Sequence, residues 1–325
     1  MASLLETVQL LTSFDPPRRT LKDAPWPQLA HWALENGLAA LVAYNLEYRL
    51  GGAGAPDEVR EQLLSAYQGI VNDNVLKLVN FKRCLGALEG RQLVLLGGAS
   101  YAESLYPHVA FRPVTEIDLL VRDRDVGGFS GWMGRANFKV VTRDDVLGEG
   151  DMFLSDGRTN LCVSTALFGG ATGELEAGLL QRAERMRVYG ESTYRLSHED
   201  AILQTCVAQA RAGYQVPMLT FVDLRELLTG ATSMAAAYSR TPDLGLVKVR
   251  AREWGVERAL YASLGVVERL YPETAGAVAQ AQPELKAGTR ALLEKTVITP
   301  LLRLETRSLR GADRLRRWLT ARAQT

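Results

Sequence analysis

The sequence is poor in the residues from which several kinds of site are built. It holds three cysteines, Cys84, Cys162 and Cys206, and three histidines among 325 residues. An odd number of thiols, with no Cys-x-x-Cys spacing and no histidine at ligand distance along the chain, argues against a disulfide framework and a structural zinc site and fits a reducing cytoplasm. His31 adjoins Trp32, His108 follows Tyr106-Pro107, and His198 lies in a helix-capping sequence. Each reads as structural or solvent-exposed, and no Ser-His-Asp order stands out. Charge of one sign is also missing: 38 Lys and Arg balance 37 Asp and Glu, a formal +1, so the whole chain exerts no pull on polyanions. No uncharged apolar run approaches the roughly 20 residues that span a bilayer. The opening MASLLETVQLLTSFDPPRR lacks a basic n-region and reads as an amphipathic helix, not a signal peptide. There is neither an internal repeat nor a low-complexity tract. These absences predict a cytoplasmic protein with no membrane partner.

What is present is enough apolar material for a sizeable core, 47% of residues, in a chain long enough for two or three structural units. Residues 1–90 read as a helical N-terminal domain. Leu4, Leu5, Val8 and Leu11 recur at helical spacing until Pro16-Pro17 stop them. Asn36-Gly37 separates two further helices, and Pro56-Asp57 opens a long amphipathic helix towards Glu89. The polar members of that helix, Asn72, Asp73, Asn74 and Lys77, either reach a functional cleft or form a solvated face. Residues 91–170 switch to strand patterning, with Ser155-Asp156-Gly157-Arg158 as a hairpin turn. From about Glu174 the pattern returns to helix, giving a helical C-terminal domain over 171–325. In it Leu196-Ser197-His198-Glu199-Asp200 reads as a capping box, with Ser197 at the N-cap and Asp200 at N3. The fold class is therefore α/β (α+β), with a small mixed sheet between helical segments of the chain.

The chemistry concentrates between Leu93 and Val121, LVLLGGASYAESLYPHVAFRPVTEIDLLV. This predicts a buried strand, a Gly-Gly turn, a short helix, a loop and a second strand. Side chains alternate faces along a strand, so Glu116 and Asp118 point one way and Ile117 and Leu119 the other. Two neighbouring carboxylates repel each other and are tolerated where a cation shares their charge. Gly97 and Gly98 close the first strand where a helix begins, and there a backbone offers N–H groups to phosphate. Ser100 either donates its hydroxyl to a triphosphate or caps the helix. A phosphate cradle beside paired carboxylates suggests metal-assisted nucleotidyl transfer.

Gly98-Ala99, Leu105-Tyr106-Pro107, Arg112 and Glu116-Ile117-Asp118-Leu119-Leu120-Val121 resemble an uncharacterised nucleotidyltransferase family of the polymerase-beta-type superfamily. The helical lead-in, the LSHED segment and the Val222-Asp223-Leu224 helix fall at that family's spacings. The resemblance implies a mixed-sheet core with a minimal five strands, and a nucleoside triphosphate as substrate. It implies Mg2+ or Mn2+ as cofactor, held by Glu116 and Asp118 as metal-binding catalytic residues, and Gly97, Gly98, Ser100 and Arg112 at the nucleotide. Arg112 then either pairs with phosphate or makes a structural ion pair with Glu103 or Asp123. The acceptor of the nucleotide is left open among a small molecule, a peptide and an RNA end. Asp223 and Arg225 match the family's aspartate-bearing helix, where buried polar pairing is the expected role.

The chain departs from the family at three points. Glu116 stands where an aspartate is usual, Gly97 replaces a lysine, and the later strand that should carry a third carboxylate reads Asn160-Leu161-Cys162-Val163-Ser164-Thr165. Asp151 and Asp156 are the nearby acids that could substitute. The alternative to an active enzyme is a degenerate, non-catalytic member acting as a binding or scaffold module. The C-terminal stripe of Arg303, Arg307, Arg310, Arg314, Arg316, Arg317 and Arg322, with Trp318, is either a solvated helix or a surface for RNA or an acidic partner.

Overall fold

The computed structural model describes residues 3–18, 21, 23–88, 90–142, 152–168, 173–229, 241–304 and 316–317. The chain divides into two compact units, one of Met1–Gln68, Ile202–Ser233 and Tyr238–Thr325, the other of Gly69–Ala201 and Met234–Ala237.

The first unit is helical where it is described. Helix α1 (Leu4–Leu11) starts at a complete capping box: the Ser3 hydroxyl accepts from the Glu6 backbone N–H, and the Glu6 carboxylate accepts from the Ser3 N–H. Helix α2 (Trp26–Glu35) buries Leu29, Trp32 and Ala33, and ends where Gly37 takes φ +70. Helix α3 (Ala39–Tyr44) continues as a π-turn over Asn45–Arg49, and α4 (Asp57–Ala87) begins with two acids in its first turn.

The second unit is built on a sheet. In chain order come β1 (Val94–Leu95), α5 (Gly97–Ser104), β2 (Ile117–Leu120), α6 (Asp123–Arg135), β3 (Lys139–Val140), β4 (Met152–Ser155), β5 (Asn160–Ser164), α7 (Gly173–Arg182), β6 (Glu184–Val188) and β7 (Glu191–Arg195). The strands lie in the order β3-β4-β5-β2-β1-β7-β6. Strand β2 pairs antiparallel with β1 and parallel with β5, and β1 pairs parallel with β7. Leu95, Ile117, Leu119, Leu154, Leu161 and Val163 share a hydrophobic core with Leu78, Phe81 and Leu85 of α4 and Phe129 and Met133 of α6. Asp118 and Cys162, at alternate positions of their strands, belong to the opposite face.

The sheet has seven strands where a minimal five were expected, and the return to helix expected from about Glu174 holds for α7 and is then interrupted. After α7, the segment Glu184 to Arg195 folds as a hairpin that adds β6 and β7. Its alternation was readable: Met186 and Val188 are buried while Arg185 and Arg187 are exposed. Tyr189 and Gly190 both take positive φ, +47 and +89, as a two-residue primed turn requires.

Helix α8 (His198–Arg211) then opens at Ser197, whose hydroxyl accepts from the Asp200 N–H at 3.3 Å. The Asp200 carboxylate also accepts from Arg182 Nε at 3.0 Å, so the side chain at N3 forms an ion pair with α7. Among the described residues there follow α9 (Leu219–Thr229), α10 (Leu244–Glu253), α11 (Glu257–Leu270), α12 (Ala275–Ala281), α13 (Ala287–Leu293) and the short α14 (Thr299–Leu301). In α9 every residue from Phe221 to Leu228 is buried, Asp223, Arg225 and Glu226 included.

Of the C-terminal stripe, Arg307, Arg310, Arg314, Trp318 and Arg322 lie outside the described residues. Arg303 and Arg317 are exposed, whereas Arg316 is buried and donates from Nε to the Gly213 carbonyl at 2.8 Å. That arginine belongs to the packing of the helical unit. No helix among the described residues is long and apolar enough to cross a membrane.

Candidate nucleotide site

The Gly-Gly turn follows β1 directly. Leu96 is extended and its backbone N–H donates to the Asp118 carbonyl at 2.9 Å, which locks the turn against β2. Gly97 then takes φ +48, and α5 begins with no side chain capping it. A β-carbon on Gly97 would stand 3.8 Å from Oδ2 of Asp118. One on Gly98 would stand 3.0, 3.1 and 3.2 Å from Nη1, Cζ and Nη2 of Arg112. Two bare glycines, a carboxylate and a guanidinium therefore converge at the start of a helix, which suits an anion carrying a cation.

Helix α4 holds the loop that brings Arg112 here. Asn74 is buried, and its Nδ2 donates to the carbonyls of Val109 and Arg112 at 2.6 and 2.8 Å while its Oδ1 accepts from the Val114 N–H at 2.9 Å. Lys77 Nζ donates to the Val114 carbonyl at 2.7 Å. Within the loop, His108 Nδ1 accepts from the Ala110 N–H and caps the 3-10 turn Val109–Phe111. Partial burial lowers the His108 pKa from its ordinary value, which keeps the imidazole neutral and able to accept. Of the polar residues expected on α4, Asn72 and Asp73 are exposed. Asn74 and Lys77 are neither solvated nor site-lining; they position the loop. Only the tertiary contacts separate these roles.

The predicted site residues fall into two groups. Gly97, Gly98, Arg112 and Asp118 come together, and Glu116 immediately precedes β2, half-buried, on the Asp118 side of the strand. Ser100 does not join them. It is buried on α5, and its Oγ is 3.8 Å from the thioether of Met186 in β6, so its hydroxyl is spent in packing and caps no helix. Two residues beyond Gly98 is a rotation of about 200° along α5, which turns Ser100 to the side opposite Gly98.

The third acid is missing where the strands meet. In the parallel pair β2 and β5, Asp118 stands opposite Cys162, so the two side chains are neighbours on one face. Asn160 Oδ1 accepts from the Ser155 hydroxyl at 2.8 Å. Asp156 caps the β4–β5 turn, its Oδ1 accepting from the N–H groups of Arg158 and Thr159 and its Oδ2 from Asn80 of α4. Asp151 lies outside the described residues. Among the described residues no group of three or more His, Cys, Asp and Glu side chains is disposed to hold a metal ion.

A family model described as an uncharacterised nucleotidyltransferase matches residues 22–272. The chain belongs to this family. A comparison with curated proteins gives no match. The match spans both the helical lead-in and the sheet, as well as helices α8 to α11, so membership rests on most of the chain and not on the carboxylate strand alone.

In this family member the carboxylates gathered at the glycine turn are Asp118 and, on its side of the strand, Glu116. Mg2+ is commonly held by one or two carboxylates together with substrate phosphates. A two-metal centre needs ligands that bridge ions about 3.5–4 Å apart, and among the described residues no group of three or more His, Cys, Asp or Glu side chains supplies them.

The glycine pair also yields a test. Gly98→Ala is compatible with the backbone, and the close contact is with the far end of the Arg112 side chain, whose Nη1 donates to the Pro113 carbonyl at 2.8 Å, so stability should change by less than about 1 kcal/mol. The same methyl displaces the Arg112 guanidinium. Nucleotide affinity, measured by calorimetry, should fall about tenfold.

Proposed function

We propose that this chain is a nucleotidyltransferase that binds a nucleoside triphosphate as its Mg2+ or Mn2+ complex at the Gly97-Gly98 turn. The observation that carries this is the convergence of that turn with Asp118 and Arg112. The backbone at the start of α5 takes phosphate oxygens, Arg112 adds a bidentate cation, and Asp118 with Glu116 would hold the metal that the triphosphate carries. When bound, that ion neutralises charge on the triphosphate and on the departing pyrophosphate. An acceptor hydroxyl or phosphate oxygen forms a bond to the α-phosphorus as the bond from that phosphorus to the bridging oxygen breaks. The nucleoside monophosphate passes to the acceptor, pyrophosphate leaves, and a hydroxyl's proton goes to solvent. The acceptor is a small molecule, a peptide or an RNA end.

One observation favours a second reading, a binding module that keeps the nucleotide and does not transfer it: Cys162 stands in the strand position beside Asp118. Calorimetry with ATP, CTP, GTP and UTP, with and without Mg2+ or Mn2+, tests the common part of both. Metal-dependent binding is expected, weakened about 10- to 100-fold in Asp118→Ala. Absence of binding by all four nucleotides would end the nucleotide reading. Pyrophosphate release in the presence of candidate acceptors then separates transferase from binder.

A further inference from the structure

Cys162 is the least expected neighbour of Asp118. The strand register makes the two side chains adjacent. On the far side of Cys162, the same face continues to Phe153 of β4, its antiparallel partner, which is buried and offers no donor. Two residues back along β5, the Asn160 carbonyl oxygen is occupied by Ser155, and Asp156 is tied into its turn by Arg158, Thr159 and Asn80. Every described position from which β4 or β5 could present an anionic oxygen beside Asp118 is apolar, neutral or already committed. A thiol is a soft ligand and a poor match for Mg2+.

We infer that Cys162 restricts this site to a single divalent cation, and that this one position separates it from a two-metal centre. The residues around it are otherwise compatible with a second ion: Cys162 is half-exposed, and Asp118 and Glu116 lie on its side of the sheet. Restoring a carboxylate there is a one-residue change, and its effect is on metal count and metal affinity before any turnover is considered.

The test uses Mn2+ as the probe, counted by electron paramagnetic resonance on the full chain. Wild type, Cys162→Asp and the neutral control Cys162→Ser are titrated with and without α,β-methylene-ATP, which cannot transfer its nucleotide. Without nucleotide, Cys162→Asp should bind Mn2+ at least about tenfold more tightly than the other two, because affinity follows the number of charged ligands. With nucleotide, wild type and Cys162→Ser should hold one Mn2+ and Cys162→Asp two. A second carboxylate against Asp118 also predicts a melting temperature that drops in EDTA and recovers with Mn2+ in Cys162→Asp alone.

Two Mn2+ per wild-type chain would overturn the inference, whether or not the variant folds. So would a folded Cys162→Asp that binds Mn2+ no better than Cys162→Ser. The nucleotide arm rests on the proposed function and the nucleotide-free arm does not. A gain in Mn2+ affinity without any nucleotide binding would therefore uphold the role of Cys162 while removing the nucleotide.

Discussion

Arg225→Met is expected to remove about 3–5 kcal/mol of stability, measured by urea denaturation, because it strips a buried carboxylate of its partner. Arg225 and Glu226 are both about 4% exposed and lie 2.6 Å apart. The same guanidinium donates to the Thr12 carbonyl at 2.8 Å and lies 4.5 and 5.5 Å from the ring centroids of Tyr271 and Phe14. One side chain thus joins α9 to the end of α1 and to the residue following α11. Met keeps the length and the apolar contact and loses the charge. Replacing both members, Arg225→Met with Glu226→Gln, should recover a large part of the loss, since no uncompensated charge then remains.

The pH dependence of that variant has a definite sign. Burial lifts the Glu226 carboxyl above its ordinary value, and Arg225 opposes the lift. Without Arg225 the folded-state pKa rises further. A carboxyl raised in the folded state binds more protons there than in the unfolded chain. Its contribution is fully present below the unfolded pKa of about 4.3 and is lost as pH climbs through the folded value. The deficit of Arg225→Met should accordingly be smallest in acid and grow towards neutral pH. A deficit independent of pH between about 5 and 8 would show that Glu226 binds the same number of protons with and without Arg225, and would overturn this account.

Asn74→Ala is the other large effect. The amide makes three hydrogen bonds to the loop backbone, two as donor and one as acceptor, at a position 1% exposed. Removing it strands two carbonyls and an N–H at about 1–3 kcal/mol each, partly relieved by water entering the gap, for a net loss of about 3–5 kcal/mol. The loop it clamps carries Arg112, so nucleotide affinity should fall in the same variant even at a temperature where it remains folded. Asn74→Asp is the informative companion: it keeps the acceptor for Val114 and converts both donations into repulsion with carbonyl oxygens. If Asn74→Asp is no less stable than wild type, the amide is not the clamp.

The strand of Asp118, with Glu116 just before it, and the preceding glycine turn were legible because each rests on a local rule, alternation in one case and the backbone needs of a strand-to-helix turn in the other. The β6–β7 hairpin was missed although its period of two is present. Arg185, Arg187 and the acids around them made a solvated helix an equally good account, and the telling pair, Tyr189-Gly190, is not one of the usual turn dipeptides. Ser100 was misplaced for a different reason: two residues of sequence separation say little about direction once a helix has begun. Asn74 could not be separated from Asn72 and Asp73 by any local pattern. Its role exists only because the loop Val109 to Val114 passes that one face of α4.

The division of the chain has a consequence for the order in which the protein is made. The sheet unit is almost one continuous run, Gly69–Ala201, whereas the helical unit is completed only by segments on both sides of it. The Gln9 side chain donates to the Leu270 carbonyl, 261 residues later, and Arg225 reaches Thr12 across 213. A ribosome adding about 5–20 residues per second delivers the whole sheet before α9 and α11 exist. Helix α1 emerges many seconds before the Leu270 carbonyl and the Arg225 guanidinium to which Gln9 and Thr12 are bonded. The helical segments that precede the sheet in the chain are thus among the last to find their native surroundings, and exposure to chaperones and to aggregation falls on them.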